Sequence, residues 1–178
     1  GHEIQAVDAV YFDSEQVDFE NPDAGGPALG KWAGYVFMEV NHGADDQAAF
    51  PSLVADAPTV WTSDHRQRGC AGVYLSLVFS EKLFPNQHIP NITFDVRGRQ
   101  VYDPRSATTA YSNNAALVIS DFLTNTRFGL GAVYADEIDE AALIAAANIC
   151  EEAVTLPDDS QENRYTINGV FAFGEEYG

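Results

Sequence analysis

A chain of 178 residues with 27 acidic and nine basic residues, net charge −18, repels nucleic acid and anionic lipid, so direct binding to either is not expected. Its 46% hydrophobic and 12% aromatic content supports a substantial core and excludes a disordered polyelectrolyte; the length suits one sizeable domain, or one with a small insertion. No run of about 18 apolar residues occurs, so no membrane span is predicted.

The opening Gly-His, without a methionine or a visible signal peptide, reads as the start of a fragment of something longer. Ile4, Ala6, Asp8, Val10 and Phe12 alternate against Gln5, Val7, Ala9 and Tyr11, which predicts a strand covered in part on both faces. Asp13-Ser14-Glu15 is a turn, with a return strand at Val17–Phe19. Asn21–Gly30 is a loop by its glycine and proline content, and Gly34–Val40 a second strand. Residues 41–69 form an irregular insertion. Within it Asp45-Asp46 could cap a short helix through Phe50, Leu53 and Val54, provided Pro51 lies in the first turn. Ala71–Ser80 is a strand and Phe84–Pro90 a loop.

Asn91–Arg105 is the joint of the chain. Ile92, Phe94 and Val96 alternate with Thr93, Asp95 and Arg97. Gly98 interrupts the pattern, Arg99–Tyr102 resumes it, and Asp103-Pro104 ends it. Beyond it, Ser112-Asn113-Asn114 supplies caps for a helix over Ala115–Thr124 with Val118, Ile119, Phe122 and Leu123 on one stripe. Gly129 and Gly131 mark its exit. Asp136 and Asp139 open a second helix, which places Ile138, Ala142, Ala145, Ala146, Ile149 and Ala153 against a neighbour. Leu156–Asn163 is a polar loop and Arg164–Phe173 a closing strand. The fold class is thus α+β: antiparallel strands with two packed helices, a β-rich region over 1–105 and a helical segment with a closing strand over 106–178, joined in one compact unit.

Few residues suggest chemistry. His42, Asp45 and Asp46 have metal-ligand residue types at short spacing, but an EF-hand would need a longer acid series and a closing Glu, and helix capping explains the aspartates equally. Asp64-His65 beside Arg66 and Arg68 has the types for acid–base work or phosphate binding, without a glycine-rich phosphate loop; a polar surface loop explains it. Cys70 and Cys150 are too few for a disulfide scaffold, and Cys150 reads as a buried thiol. Paired carboxylates carry no signal in a chain with 27 acids. No catalytic, cofactor-binding or metal residue is assigned. Arg66, Arg68, Lys82, Arg97, Arg99 and Arg105 fall within about forty positions of an otherwise acidic chain. That asymmetry either balances charge within the fold or pairs one surface with another in an assembly.

The motifs around and after the joint form an ordered set: Val96-Arg97-Gly98-Arg99, Ala110-Tyr111-Ser112-Asn113-Asn114-Ala115, Phe122-Leu123-Thr124 and Arg127-Phe128-Gly129-Leu130-Gly131. Ile138-Asp139, the Ala145–Cys150 helix with its following acids, and Arg164-Tyr165-Thr166-Ile167-Asn168-Gly169 continue it. This set resembles the tail tip attachment protein, the central tail hub of lambda-like long-tailed phages and prophages. The opening strand, Asp45-Asp46-Gln47 and Trp61–Gly69 are similar to its relatives more loosely.

The resemblance implies a structural protein of the virion tail, assembled in the bacterial host cytoplasm. It would help close the tail tube, support host attachment, and contain part of a baseplate-hub β-barrel. It implies other tail proteins as partners, a trimer for the full-length protein, no cofactor and no enzymatic activity. This segment would be an N-terminal part that stops before the receptor-binding end. Arg97 and Arg99, two apart and central to the first motif, are the candidate interface. Two rivals are a carbohydrate-binding module, which needs Trp32, Trp61 or Tyr111 exposed on one patch, and a cell-wall hydrolase, which needs two close carboxylates in a cleft.

Overall fold

The computed structural model describes residues 2–169. The chain is mixed α and β, with antiparallel sheets and four α-helices among the described residues, and it divides into two compact units, Gly1–Arg99 and Gln100–Gly178.

The first unit contains β1 (Ala6–Phe12), β2 (Glu15–Gln16), β3 (Phe19–Asn21), β4 (Gly25–Ala28), β5 (Val36–Asn41), a short helix α1 (Pro51–Asp56), β6 (Gly72–Leu77) and β7 (Ile92–Arg97). β2, β1 and β7 form one antiparallel sheet in that order; β3, β4, β5 and β6 form a second. Val7, Val10 and Phe12 from the first sheet share a core with Phe19, Ala28, Val36 and Met38 from the second. Trp32 lies in this core with its ring edge-on to Phe12 at 5.3 Å, a geometry worth about 0.5–1.5 kcal/mol beyond the buried area.

The alternation expected of β1 breaks once. The register to β7 shifts between Val7 and Ala9, so Val7 and Val10 both reach the core, and Asp8 turns out to solvent. This bulge is the reason Asp8 does not share the buried face expected for it. Asp13 and Ser14 take positive φ values of 48° and 71°, the handedness of a two-residue hairpin turn. The return strand is therefore Glu15–Gln16, earlier than expected, and Val17–Phe19 passes to the other sheet.

The loop expected at Asn21–Gly30 holds β4, an interior strand made of Gly-Gly-Pro-Ala. Its composition hides it. Pro27 lacks a donor but sits where the β3–β4 register is irregular, and a Cβ on Gly25 would collide with the Met38 carbonyl of β5. In the insertion, α1 begins at Pro51 with Phe50 as N-cap, so Asp45-Asp46 do not cap it. Glu39 of β5 does that work, accepting from the Ser52 N–H at 3.2 Å.

The second unit contains β8 (Gln100–Asp103), β9 (Thr108–Tyr111), α2 (Ala115–Thr124), α3 (Tyr134–Glu137), α4 (Glu140–Cys150), β10 (Ala153–Thr155) and β11 (Gln161–Asn163). β8 with β9 and β10 with β11 form separate two-stranded sheets. The expected strand through Gly98 ends at Arg97; Gln100 opens a different sheet, and Arg97 and Arg99 do not share a strand face. α2 has the predicted bounds and Asn114 as its cap. Its buried residues are Leu117 and Ser120, while Ile119 and Phe122 of the expected stripe are exposed. Likewise α4 buries Leu143, Ala147 and Cys150 and leaves Ala142, Ala145, Ala146 and Ile149 exposed. Apolar residues nearly encircle both helices, so periodicity alone did not select the inward side. The polar loop expected over Leu156–Asn163 contains β11. Of the closing strand, Arg164–Gly169 contributes one bridge, Thr166 to Asn114, and residues 170–173 lie outside the described ones.

Candidate assembly surface

Arg97 leaves the end of β7 on the solvent side of its sheet. Its Nε donates to both carboxylate oxygens of Asp8, at 3.1 and 3.2 Å, and Nη2 lies 3.0 Å from Oδ1. The β1 bulge that expels Asp8 from the core is what brings this acid to Arg97. On the same face the Tyr11 hydroxyl donates to Asp95 at 3.0 Å. The bond and the carboxylate beside it hold the phenol above its ordinary pKa. The first-motif arginine is thus paired inside its own unit while its side chain stays 44% exposed. Arg99 sits on the two-residue link after β7 and is exposed.

His42, Asp45 and Asp46 do not converge. His42 Nε2 lies 2.7 Å from Asp23 Oδ1, which also accepts the Val7 N–H at 2.8 Å. Burial pushes the Asp23 carboxyl up, yet these two bonds leave it below the ordinary carboxylate range. No group of three potential ligands exists among the described residues. The trio's neighbour matters more. Gln47 accepts the Gly43 N–H at 2.8 Å and donates to the carbonyls of Arg66 at 2.7 Å and Gln67 at 2.8 Å. It ties the Trp61–Gly69 loop to the end of β5. Gly43, at φ 96°, permits this: a Cβ there would stand 2.8 Å from Ala71 N and from Glu3 Cα.

In that loop His65 stacks on Trp61 at 5.0 Å, and its Nδ1 accepts the Thr62 N–H at 2.9 Å. It is therefore turned to Thr62 and not to Asp64 as an acid–base pair would require. Asp64, Arg66, Gln67 and Arg68 line one open depression.

The second unit has a polar centre that its sequence did not single out. Arg105 Nη2 meets Asp103 Oδ2 and Glu151 Oε1, both at 2.7 Å, joining the β8–β9 turn to the C-terminal end of α4. Arg105 holds both carboxyls below the usual range, and they in turn raise its own pKa. Asn114 completes the joint, capping α2 and donating to the Ala147 carbonyl at 2.9 Å. Tyr165 N–H reaches the Cys150 carbonyl at 3.1 Å and Ile167 N–H the Asn113 carbonyl at 2.9 Å.

Comparison with models of known protein families gives no match, and none arises among curated proteins. No helix among the described residues is long and apolar enough to cross a membrane.

Proposed function

We propose that this chain is a structural part of the central hub at the tail tip of a long-tailed phage or prophage, serving tail assembly and host attachment. The antiparallel strands of the first unit would form part of a hub β-barrel. The full-length protein would trimerise, contact other tail proteins and reside in the virion tail after assembly in the host cytoplasm.

The observation that carries the reading is where the second unit's resemblance motifs fall. Asn113-Asn114-Ala115 starts α2 and bonds to Thr166 and Ile167; Tyr165 bonds to the end of α4. Asp139 caps α4, accepting from Ala142 N–H at 3.0 Å. These motif residues serve packing and capping, as suits a protein whose work is mechanical. Among the described residues, the four carboxyls with a shifted pKa, Asp23, Asp103, Glu151 and Asp158, all move below the carboxylate range, so none of these four supports a glycosidase general acid. A sugar-binding platform loses Trp32, which is 6% exposed in the core.

Arg97 and Arg99 remain the proposed contact between subunits. The test is light scattering on the full-length protein, parent against R97E/R99E. Exposed ion pairs contribute only about 0–1 kcal/mol, so the variant's melting temperature should barely move, while like charges set across an interface should abolish the trimer. A parent protein that is monomeric overturns the hub reading. A variant that still forms the parent trimer removes these arginines from the interface.

A further inference from the structure

Among the described residues, four of the nine cations meet an acid in close, direct geometry. Lys31 meets Glu15 at 2.6 Å, Arg97 meets Asp8 at 3.0 Å, Arg105 meets Asp103 and Glu151 at 2.7 Å, and Arg164 meets Glu152 at 2.9 Å. Lys82 and Arg127 show no ion pair among the described residues, Arg127 resting on the Phe128 ring, but Arg66 and Arg68 are the two such cations that stand together. Among the described residues neither has a carboxylate within ion-pair distance, in a chain that carries 27 acids. They lie two apart and line the same open depression with Asp64 and Gln67. Arg66 donates from Nε to the Ser63 carbonyl at 3.3 Å, and this fixes the stem without satisfying the charge.

The loop beneath them is held in place. Gln47 binds the carbonyls of Arg66 and Gln67, Cys70 N–H bonds to Gln67 O at 3.0 Å, and His65 rests on Trp61. Gln67 at φ 51° and Gly69 at φ 71° turn the backbone around that anchor. The pinned backbone has its own ordering entropy already met before anything binds, which leaves only the two arginine side chains to be ordered by a partner.

We infer that the Trp61–Gly69 loop docks carboxylates of a second copy of this chain in the assembled hub, which rests on the hub reading above. Guanidinium recognises carboxylate at contact distance, often through paired bonds. Each copy offers 27 acids against nine bases, so a neighbour held by other contacts brings acids to this loop. Long polyanions fit less well: the −18 field repels nucleic acid and anionic membrane before contact. Asp64 in the wall opposes a phosphate dianion and suits a protein surface of mixed charge.

The experiment uses the full-length protein and two variants. R66Q/R68Q removes both charges; its subunit association should weaken about tenfold or more at about 0.15 M salt, with the melting temperature of the dissociated chain unchanged. R66K/R68K keeps the charges and allows a carbodiimide to couple the new amines to carboxylates in direct contact. Mixing isotope-labelled and unlabelled chains before coupling shows whether a link joins two copies. Links between copies at positions 66 or 68 support the inference; links confined to one chain, or none, overturn it. A parent that assembles while R66Q/R68Q assembles equally well removes the loop's role and leaves the hub reading standing. A parent that never assembles ends both.

Discussion

Asn114 is 3% exposed, and its side chain serves two helices at once. Its Oδ1 accepts from Ala116 and Leu117 N–H at 3.1 and 3.4 Å, capping α2; its Nδ2 donates to Ala147 O at 2.9 Å and Glu151 Oε1 at 3.0 Å, closing the end of α4. Both functions depend on an amide, which offers acceptor and donor together. Asn114→Ala removes a cap worth about 0.5–2 kcal/mol and leaves a buried carbonyl without its donor at about 1–3 kcal/mol. The expected loss is about 2–4 kcal/mol, read from denaturant unfolding followed by circular dichroism at 222 nm. Asn114→Asp keeps the cap but turns the donor side into an acceptor facing Ala147 O and Glu151, so it should recover little. If the aspartate variant matches the parent, the bond to α4 contributes nothing. The capping half of this residue was legible, because Ser112-Asn113-Asn114 precedes an apolar run. The half that reaches α4 spans 33 residues of sequence, and no local pattern reports it.

At the scale of elements, α4 shows where periodicity misleads. Its sequence Glu-Ala-Ala-Leu-Ile-Ala-Ala-Ala-Asn-Ile-Cys has small or apolar residues on nearly every side, so several faces look equally able to pack. The structure buries Leu143, Ala147 and Cys150, spaced four and three apart, and leaves Ala145 and Ala146 in solvent. Ala147 touches the core of Val101, Leu117 and Leu143 with no exposed surface. Adjacent alanines therefore give an internal control. Ala147→Leu should overpack that core and cost about 1–3 kcal/mol, whereas Ala146→Leu should stay within about 0.5 kcal/mol of the parent. Thermal melts of the two variants check this, and a larger loss at Ala146 would reverse the inward face of the helix. The strands divide in a similar way. β7 was legible because alternation and half-burial coincide at Ile92 and Phe94. β4 was not, since Gly-Gly-Pro-Ala has the composition of a turn and is held as a strand by neighbours on both sides.

For the whole molecule, net charge and individual ion pairs make opposite demands on pH. Titrating toward the sequence pI of about 4.2 relieves the self-repulsion of a −18 chain, which by itself would favour the folded state. Carboxyls with depressed folded pKa values act the other way. Their contribution is fully present above the unfolded values, 3.8 for Asp23 and Asp103 and 4.5 for Glu151, and is lost as pH falls through the lower folded ones. Arg105 is the cause for two of them, and with side-chain exposures of 21% and 22% the Arg105–Asp103 pair is shielded more than the surface pairs. Arg105→Met should therefore cost about 1–3 kcal/mol at neutral pH, because two carboxylates lose their counter-ion and face each other. It should also flatten the acid limb, since Asp103 and Glu151 would no longer be depressed in the folded state. The two units supply separate signals: Trp32 and Trp61 both lie in the first, while the longest described helices, α2 and α4, lie in the second. Melts between about pH 6 and about pH 3 should show the parent's 222 nm transition falling steeply and that of the variant falling less, with the tryptophan transition following its own course through Asp23. Equal acid slopes for parent and variant at 222 nm would mean that Arg105 holds geometry alone and that acid sensitivity arises elsewhere in the chain.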